Sequence, residues 1–563
     1  MWSMEKDPLN AHQACCACKK NKRKCDKRLP ACGLCARTGR ACEYDETPRP
    51  PPSADEFAAL QVRITELEAR LNIACGGSAS VASPTPTFSS PKTWTDTTLS
   101  LTQFPFAMFL DLDCYEWARM KLPRPTATVP MDVLTILNQA NGILEISQTY
   151  FNTIHRWMPI ISKKRIDLGI PFQGGGPDLA MLFLAMKLVT TYPESTESLY
   201  ETTRAFLRTL EADNVISIRC LQAIILVALY EYSHALYPAA WMTVGACSRY
   251  ADIIGLSPSG RCLRIIESNT TWTELEERRR TWWAIFILDR AISLGSRRRF
   301  SCPEPTEVDV LPGNDVGWNS GDVSGALNCA VSTPFSNLQS PFARLCQSAI
   351  CIDRVMKFRH TCQQVPKEQS TTMAIVLTKE LCAFSDILEG NSSRSTNIEG
   401  YLDLFAPRCL VWSALFLLLD NYCCPEKLAN EPGYPLSGSA KTPEEQILQV
   451  DATIIVRSIS NEAHNAILKV VETLDNYPRA QDQLTGICPF ALDALYCTMA
   501  TFHWELRESG DETARVSLED IAQCLQRLGE VWPLALRYLA LEGVYSGAVA
   551  ERCGNPEGLP PPS

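Results

Sequence analysis

The stretch 15–42 reads CCACKKNKRKCDKRLPACGLCARTGRAC, and everything else in the chain is read outward from it. Cys15, Cys18, Cys25, Cys32, Cys35 and Cys42 are spaced C-x2-C-x6-C-x6-C-x2-C-x6-C. The second trio repeats the first 17 residues later, and Cys16 alone has no counterpart, because Gly33 stands there. A C-x2-C pair lets one turn aim both sulfurs at one ion, which adjacent cysteines do poorly. The register therefore leaves Cys16 as a spare thiol. Two tetrahedral zinc ions offer more ligand positions than six sulfurs fill, unless two of the sulfurs bridge both metals. Six thiolates holding two Zn2+ ions carry two residual negative charges. A single zinc would idle two thiolates and break the repeat. A disulfide scaffold is the competing reading, and it suits an oxidising compartment.

Charge separates this segment from the rest. Between Cys15 and Cys42 nine Lys or Arg face one acid, Asp26, a local charge of +8 in a chain of net charge −10. The remainder therefore carries −18. A small basic head on a large acidic body predicts that the head meets a polyanion and the body does not. The basic residues cluster in the first half, Lys19-Lys20-Asn21-Lys22-Arg23-Lys24, whereas the second half reads Ala36-Arg37-Thr38-Gly39-Arg40-Ala41. The first half is thus expected to face double-stranded DNA. Lys19, Lys20, Arg23, Lys24, Lys27 and Arg28 are assigned to phosphate, where they give affinity and position but no sequence choice. The same basic run can serve as a nuclear import signal.

This spacing resembles the fungal six-cysteine binuclear zinc cluster family of transcription factors. The resemblance implies that Cys15 and Cys32 bridge, that Cys18 and Cys25 complete one zinc site, and that Cys35 and Cys42 complete the other. It places a cis-proline at Pro30. It also makes Lys22 the reader of guanine in a CGG-like triplet, where an ammonium suits the O6 and N7 acceptors. Asn21 replaces a position that is often basic in the family, and is taken with Lys22 as a base contact. The implied protein is a nuclear regulator of RNA polymerase II genes, more often an activator, with two zinc ions per chain. Control of a biosynthetic gene cluster is implied by the resemblance alone.

Beyond the head, 1–14 is expected to be disordered and lacks the apolar core of a secretory leader. The linker 43–55 ends in Pro50-Pro51-Pro52, a semi-rigid spacer. Phe57, Leu60, Ile64, Leu67 and Leu71 follow heptad a and d spacing, which predicts a short coiled coil over 56–74 and a homodimer on two triplets. Arg63 at g and Glu68 at e would pair across it. An amphipathic helix docked on the body is the alternative, since so short a helix is marginal alone. The Ser/Thr/Pro-rich stretch 75–103 reads as a flexible tether.

The body, 104–550, reads as all-α, followed by a disordered tail at 551–563. With 563 residues, 46% apolar and 21% charged, the chain can bury large cores, which excludes a wholly disordered or fibrous protein. Helical periodicity predicts helices at 179–189, 199–211, 217–235, 239–255, 272–294, 341–360, 371–388, 402–421, 451–475, 489–508 and 517–541. Thr273 and Glu276 are read as a capping box. Leu275, Trp282, Ile285, Phe286 and Asp289 share one face, and Trp283 and Ile287 another, so that helix should be buried on two sides. No continuous apolar run reaches the ~18–20 residues of a membrane span, so no membrane partner is expected.

Ala240-Trp241, Gly245, Arg249-Tyr250-Ala251, Gly255-Leu256, Glu276-Glu277-Arg278-Arg279-Arg280-Thr281-Trp282-Trp283 and Leu288-Asp289-Arg290 resemble the helical middle-homology region of the same regulators, over about 140–320. Arg298-Arg299-Phe300 stands where the family has Gly-Arg-Pro.

No catalytic constellation is visible, so an enzyme is not expected. The six histidines are scattered, and Gly174-Gly175-Gly176 follows no strand. His234 and His503 read as core residues, the body cysteines as buried thiols, and 276–280 as a salt-bridged helix face. The leading reading is a zinc-dependent DNA-binding regulator that works with the transcription machinery or co-regulators. The alternative is a repressor, or a receptor whose helical body binds a small-molecule effector.

Overall fold

The structure, a computed structural model, describes residues 14–21, 23–44, 105–118, 127–139, 142–169, 176–193, 196–256, 271–296, 298–322, 329–362, 364–394, 398–423, 442–475 and 486–553. The expected coiled coil and its residues Phe57, Leu60, Ile64, Leu67 and Leu71 lie outside this set, as does Lys22. So do the expected tether and nearly all of the first linker and the two termini. The molecule forms two compact units, divided between residues 96 and 97.

The first unit holds two short helices, α1 (Cys16–Lys20) and α2 (Gly33–Thr38). Each begins one residue after the first cysteine of a C-x2-C pair. Cys15 and Cys32 occupy the two N-cap positions with nearly the same backbone, φ/ψ of −60°/154° and −66°/148°. The 17-residue sequence repeat is therefore also a structural repeat.

The second unit is helical, with no strand among the described residues beyond one isolated bridge, Val310 to Ala330. Its long helices are α3 (Pro177–Thr190), α4 (Glu197–Ala212), α5 (Ile218–Ser233), α6 (Ala239–Ile253), α7 (Trp272–Ser293), α8 (Pro341–Thr361), α9 (Lys367–Ser393), α10 (Phe405–Cys423), α11 (Pro443–Asp475), α12 (Ala491–Ser509), α13 (Glu512–Leu528) and α14 (Leu534–Cys553). Local chemistry explains several starts. Pro177 sits at the first turn of α3, where its missing N–H costs nothing. The Ser217 hydroxyl accepts from Cys220 N at the start of α5.

In the first half α3 packs on α5, and α5 on α6 and α7. In the second half α8 packs on α10, and α10 on α9, α11 and α12. The α7–α8 contact joins the halves, and a single apolar core runs through both. Trp283 and Trp412 are fully buried in it. Helix α10 belongs to the one described segment, Gly400–Cys423, that is long and apolar enough to cross a membrane, with mean hydropathy 1.7 over its best window. That window is 78% buried inside the body, as a central core helix is.

The structure corrects three local readings. The capping box of α7 is formed by Thr271 and Glu274: Glu274 N donates to Thr271 Oγ1, and Thr271 N to Glu274 Oε2. Glu276 is a poor candidate for that role because it is wholly buried and accepts from Gly313 N at 2.7 Å. Leu275, read as part of a buried face, is 48% exposed. The segment 517–541 is two helices, α13 and α14, interrupted around Gly529 and Pro533. Proline supplies no N–H to continue the helical ladder.

The charged run 276–280 is salt-bridged, but in the interior. Arg280 is fully buried. Its guanidinium donates to Glu276 Oε1 (2.8 Å) and Gly313 O (2.8 Å) and lies 2.7 Å from Asp315 Oδ1, between the rings of Trp318 and Phe342. Glu277 accepts from Ser162 N, Arg165 and Gln222. Further along α7, Arg290 donates to Asp353 (2.8 Å), Asp289 (2.9 Å) and Cys302 O (2.9 Å). It is stacked between Phe286 and Phe300. Phe300, which departs from the family pattern, thus covers one face of this guanidinium. These two nodes fasten α7 to its flanking loops and, through Asp353, to α8.

Candidate metal centre

Four thiols meet at the middle of the head. Cys15, Cys18, Cys32 and Cys35 are buried, and their sulfurs all lie within 4.8 Å of one another. Cys15 Sγ is 3.7 Å from both Cys32 Sγ and Cys35 Sγ; Cys18 Sγ is 3.7 Å from Cys32 Sγ and 4.0 Å from Cys35 Sγ. Cys25 Sγ approaches Cys15 Sγ at 3.9 Å, and Cys42 Sγ accepts from Cys32 N at 3.2 Å. A tetrahedral site with Zn–S bonds of ~2.3 Å has sulfur–sulfur edges of about 3.8 Å. The Cys15–Cys32, Cys15–Cys35, Cys18–Cys32 and Cys15–Cys25 pairs therefore already stand at the separation of two sulfurs on one zinc. Cys16 is exposed and outside this cluster.

At Cys32 and Cys42 the backbone favours the thiolate form. Cys35 N donates to Cys32 Sγ at 3.4 Å, and Cys32 N donates to Cys42 Sγ. These amides lower the Cys32 and Cys42 thiols from their usual range.

Two residues that spacing alone did not single out hold the lobes in place. The Asp26 carboxylate accepts from Gly33 N at 2.9 and 3.1 Å, across the start of α2. A Cβ at Gly33 would stand 2.6 Å from Asp26 Oδ2, which explains why the position equivalent to Cys16 carries no side chain. Tyr44 packs on the cluster and its hydroxyl donates to Arg28 O at 2.8 Å. The Leu29–Pro30 peptide is cis. Gly33→Ala is expected to displace the Asp26 carboxylate and speed the loss of zinc to a chelator several-fold, which a colorimetric zinc-release assay reads directly.

The basic side chains surround this centre asymmetrically. Lys19, Lys20, Arg23, Lys24, Lys27 and Arg28 are all exposed on the first lobe. On the second lobe, Arg37 Nε folds back to Gly33 O at 3.2 Å. Asn21 is exposed, and its side-chain amide donates to Ala17 O at 2.8 Å, closing the end of α1.

Elsewhere, the body cysteines among the described residues are free thiols. Burial pushes Cys220, Cys302 and Cys351 up to about 12, so they stay protonated and unreactive. His234 stacks on Tyr230 and its Nδ1 lies 2.9 Å from Tyr230 O; burial lowers it to about 4. His503 differs from a core histidine: its Nδ1 lies 3.0 Å from Glu542 Oε1, beside a cavity.

A sulfur-lined metal centre with a basic rim, followed by a large helical body, defines a zinc-organised regulator. Residues 13–51 match the Fungal Zn(2)-Cys(6) binuclear cluster domain, and residues 148–383 match the Fungal specific transcription factor domain. The chain is 34% identical over 175 residues to Transcription factor BOA15 of Botryotinia fuckeliana, covering 30% of this chain and 97% of that protein. It is 26% identical over 379 residues to the Citrinin biosynthesis transcriptional activator mrl3 of Monascus ruber, covering 59% of this chain and 69% of the relative. It is 25% identical over 364 residues to the Azaphilone cluster-specific transcription factor azaR of Aspergillus niger, covering 62% and 72%. The chain belongs to the family of fungal Zn(2)-Cys(6) transcription factors. Its head accordingly takes two zinc ions on the six cysteines, and the metals supply the cross-links that so small a unit cannot obtain from an apolar core.

Proposed function

We propose that this protein is a nuclear, sequence-specific activator that binds CGG-like triplets as a homodimer and drives a biosynthetic gene cluster. The observation that carries the reading is the juxtaposition of clustered thiols, at tetrahedral-edge spacing, with six exposed cations on the first lobe against two, Arg37 and Arg40, on the second. Cys15 and Cys32 bridge the two metals. Their support is positional: both are fully buried N-cap residues, 3.7 Å apart, at the centre of the repeat. Cys18 and Cys25 complete one site, and Cys35 and Cys42 the other.

Helix α1 enters the major groove. Lys22 reads guanine; Asn21 adds a base contact only by releasing Ala17 O. Lys19, Lys20, Arg23, Lys24, Lys27 and Arg28 hold phosphates. The 56–74 segment pairs two heads, and two heads on neighbouring half-sites raise each other's local concentration. The names of the relatives, a citrinin biosynthesis transcriptional activator and an azaphilone cluster-specific transcription factor among them, support the assignment to a biosynthetic cluster.

Selection of duplexes from a random pool by the full zinc-loaded chain tests this reading. CGG-containing sequences are expected to be enriched, with an affinity that falls steeply as salt rises. Lys22→Ala is expected to relax the triplet preference by about 1–3 kcal/mol of discrimination. Lys20→Ala is expected to weaken all duplexes alike and reduce the salt slope by about one. Unchanged preference in Lys22→Ala removes that residue from base readout.

A further inference from the structure

The second half of the body contains a cavity of about 300 Å³, lined mostly by residues outside the family match. It lies among α10, α11 and α12. Leu294 and Gly295, just past α7, and Glu542 of α14 complete its wall. Its size is at the lower end of the ~300–1,000 Å³ of small-molecule sites.

Phe416, Tyr496 and Trp504 give it aromatic walls. Asp420, Asp493 and Glu542 bring three carboxyl groups to the same space. The basic residues present are already engaged by acids: Arg507 donates to Glu508 at 3.1 Å, and His503 lies 3.0 Å from Glu542. Asp493 is held by neutral donors, the Tyr538 hydroxyl at 3.4 Å and the Ser413 hydroxyl, and has no basic partner among the described residues. Burial raises its carboxyl above the usual range. Asp493 is half-buried, and a carboxylate partly withdrawn from water without a counter-charge is costly, a cost that a ligand bringing a positive charge relieves. Aromatic rings favour a cation over their faces.

We propose that this cavity binds a small aromatic molecule carrying a protonated amine, with Asp493 as the counter-ion and Phe416, Tyr496 and Trp504 around the ring. The inference is independent of the DNA-binding reading. Its place in the fold gives it a consequence. Leu294 and Gly295 continue α7, whose Asp289–Arg290 node is fixed to α8, so an occupant braces the end of α7 against α10 and α12.

The test uses the full zinc-loaded chain with two probes of one ring system and opposite charge, 1-(aminomethyl)naphthalene and 1-naphthoate. The amine is expected to bind saturably, raising the melting temperature and quenching tryptophan emission, with naphthoate weaker by about tenfold or more. Asp493→Asn is expected to weaken the amine by about tenfold, and Ala500→Trp, which fills the cavity, to abolish binding. Trp504→Phe should remove most of the quench and leave the thermal shift. Equal binding of naphthoate, or amine affinity unchanged in a folded Ala500→Trp variant, overturns the proposal. Circular dichroism checks the fold of each variant. If Asp493→Asn does not fold, the two-probe comparison and Ala500→Trp decide the matter.

Discussion

Cys15→Ala is expected to empty both metal sites and unfold the head. In the proposed arrangement Cys15 would serve both zinc ions, so its loss would leave each ion one ligand short. The effect is large because metal binding and folding of such a unit are one process, worth about 10–16 kcal/mol for structural zinc in small peptides. Zinc content should fall from two per chain towards none, and DNA binding should vanish, while the helical signal of the body is retained. Cys16→Ala is the matched control. Its side chain is exposed and outside the thiol cluster, although its neighbour Cys15 is buried at the centre. It should keep both zinc ions. Loss of zinc in Cys16→Ala would overturn the register on which the metal assignment rests.

The second large effect is expected in the body. Arg280→Met removes the guanidinium that lies between Glu276 and Asp315, and Glu276 is wholly buried. Methionine preserves much of the stem's volume but leaves Glu276 Oε1 without its cation; Arg279 reaches only Oε2, from the rim of the site. Breaking a buried pair in this way costs about 3–5 kcal/mol, far more than the pair's net contribution. The contacts to Gly313 O and Pro159 O go with it. The urea midpoint of the body should fall sharply. Arg515→Met, on the exposed face of α13, should leave it nearly unchanged, although Arg515 contacts two glutamates, Glu512 and Glu519. A fall of similar size in both variants would contradict the argument from burial.

The head was legible in the sequence because its order comes from ligand spacing. The C-x2-C repeat fixes where turns start, and both N-caps and the buried thiols follow from it. What spacing could not give was the closure of the lobes by Asp26 and Tyr44, since both act through hydrogen bonds across the loop. The helices of the body were legible from periodicity, as α3, α5 and α7 illustrate. The misses share a cause. Glu276, Glu277 and Arg280 are charged, and charge at helical spacing reads as a surface; only tertiary packing reveals that loops around Ser162 and Gly313 cover them. The capping box was misplaced by two residues for the same reason, as Glu276 serves the interior and Glu274 the helix end. The break between α13 and α14 was carried by Gly529 and Pro533, whose combined effect outweighs the apolar pattern running through them. The cavity had no sequence signature, because its walls come from five helices or their ends and leave no motif in any one of them.

Elemental analysis of the purified full-length chain tests the central claim most directly. The account predicts two zinc ions per folded molecule, both removed by a strong chelator together with DNA binding. One metal or none, in a chain that still binds DNA, would contradict it.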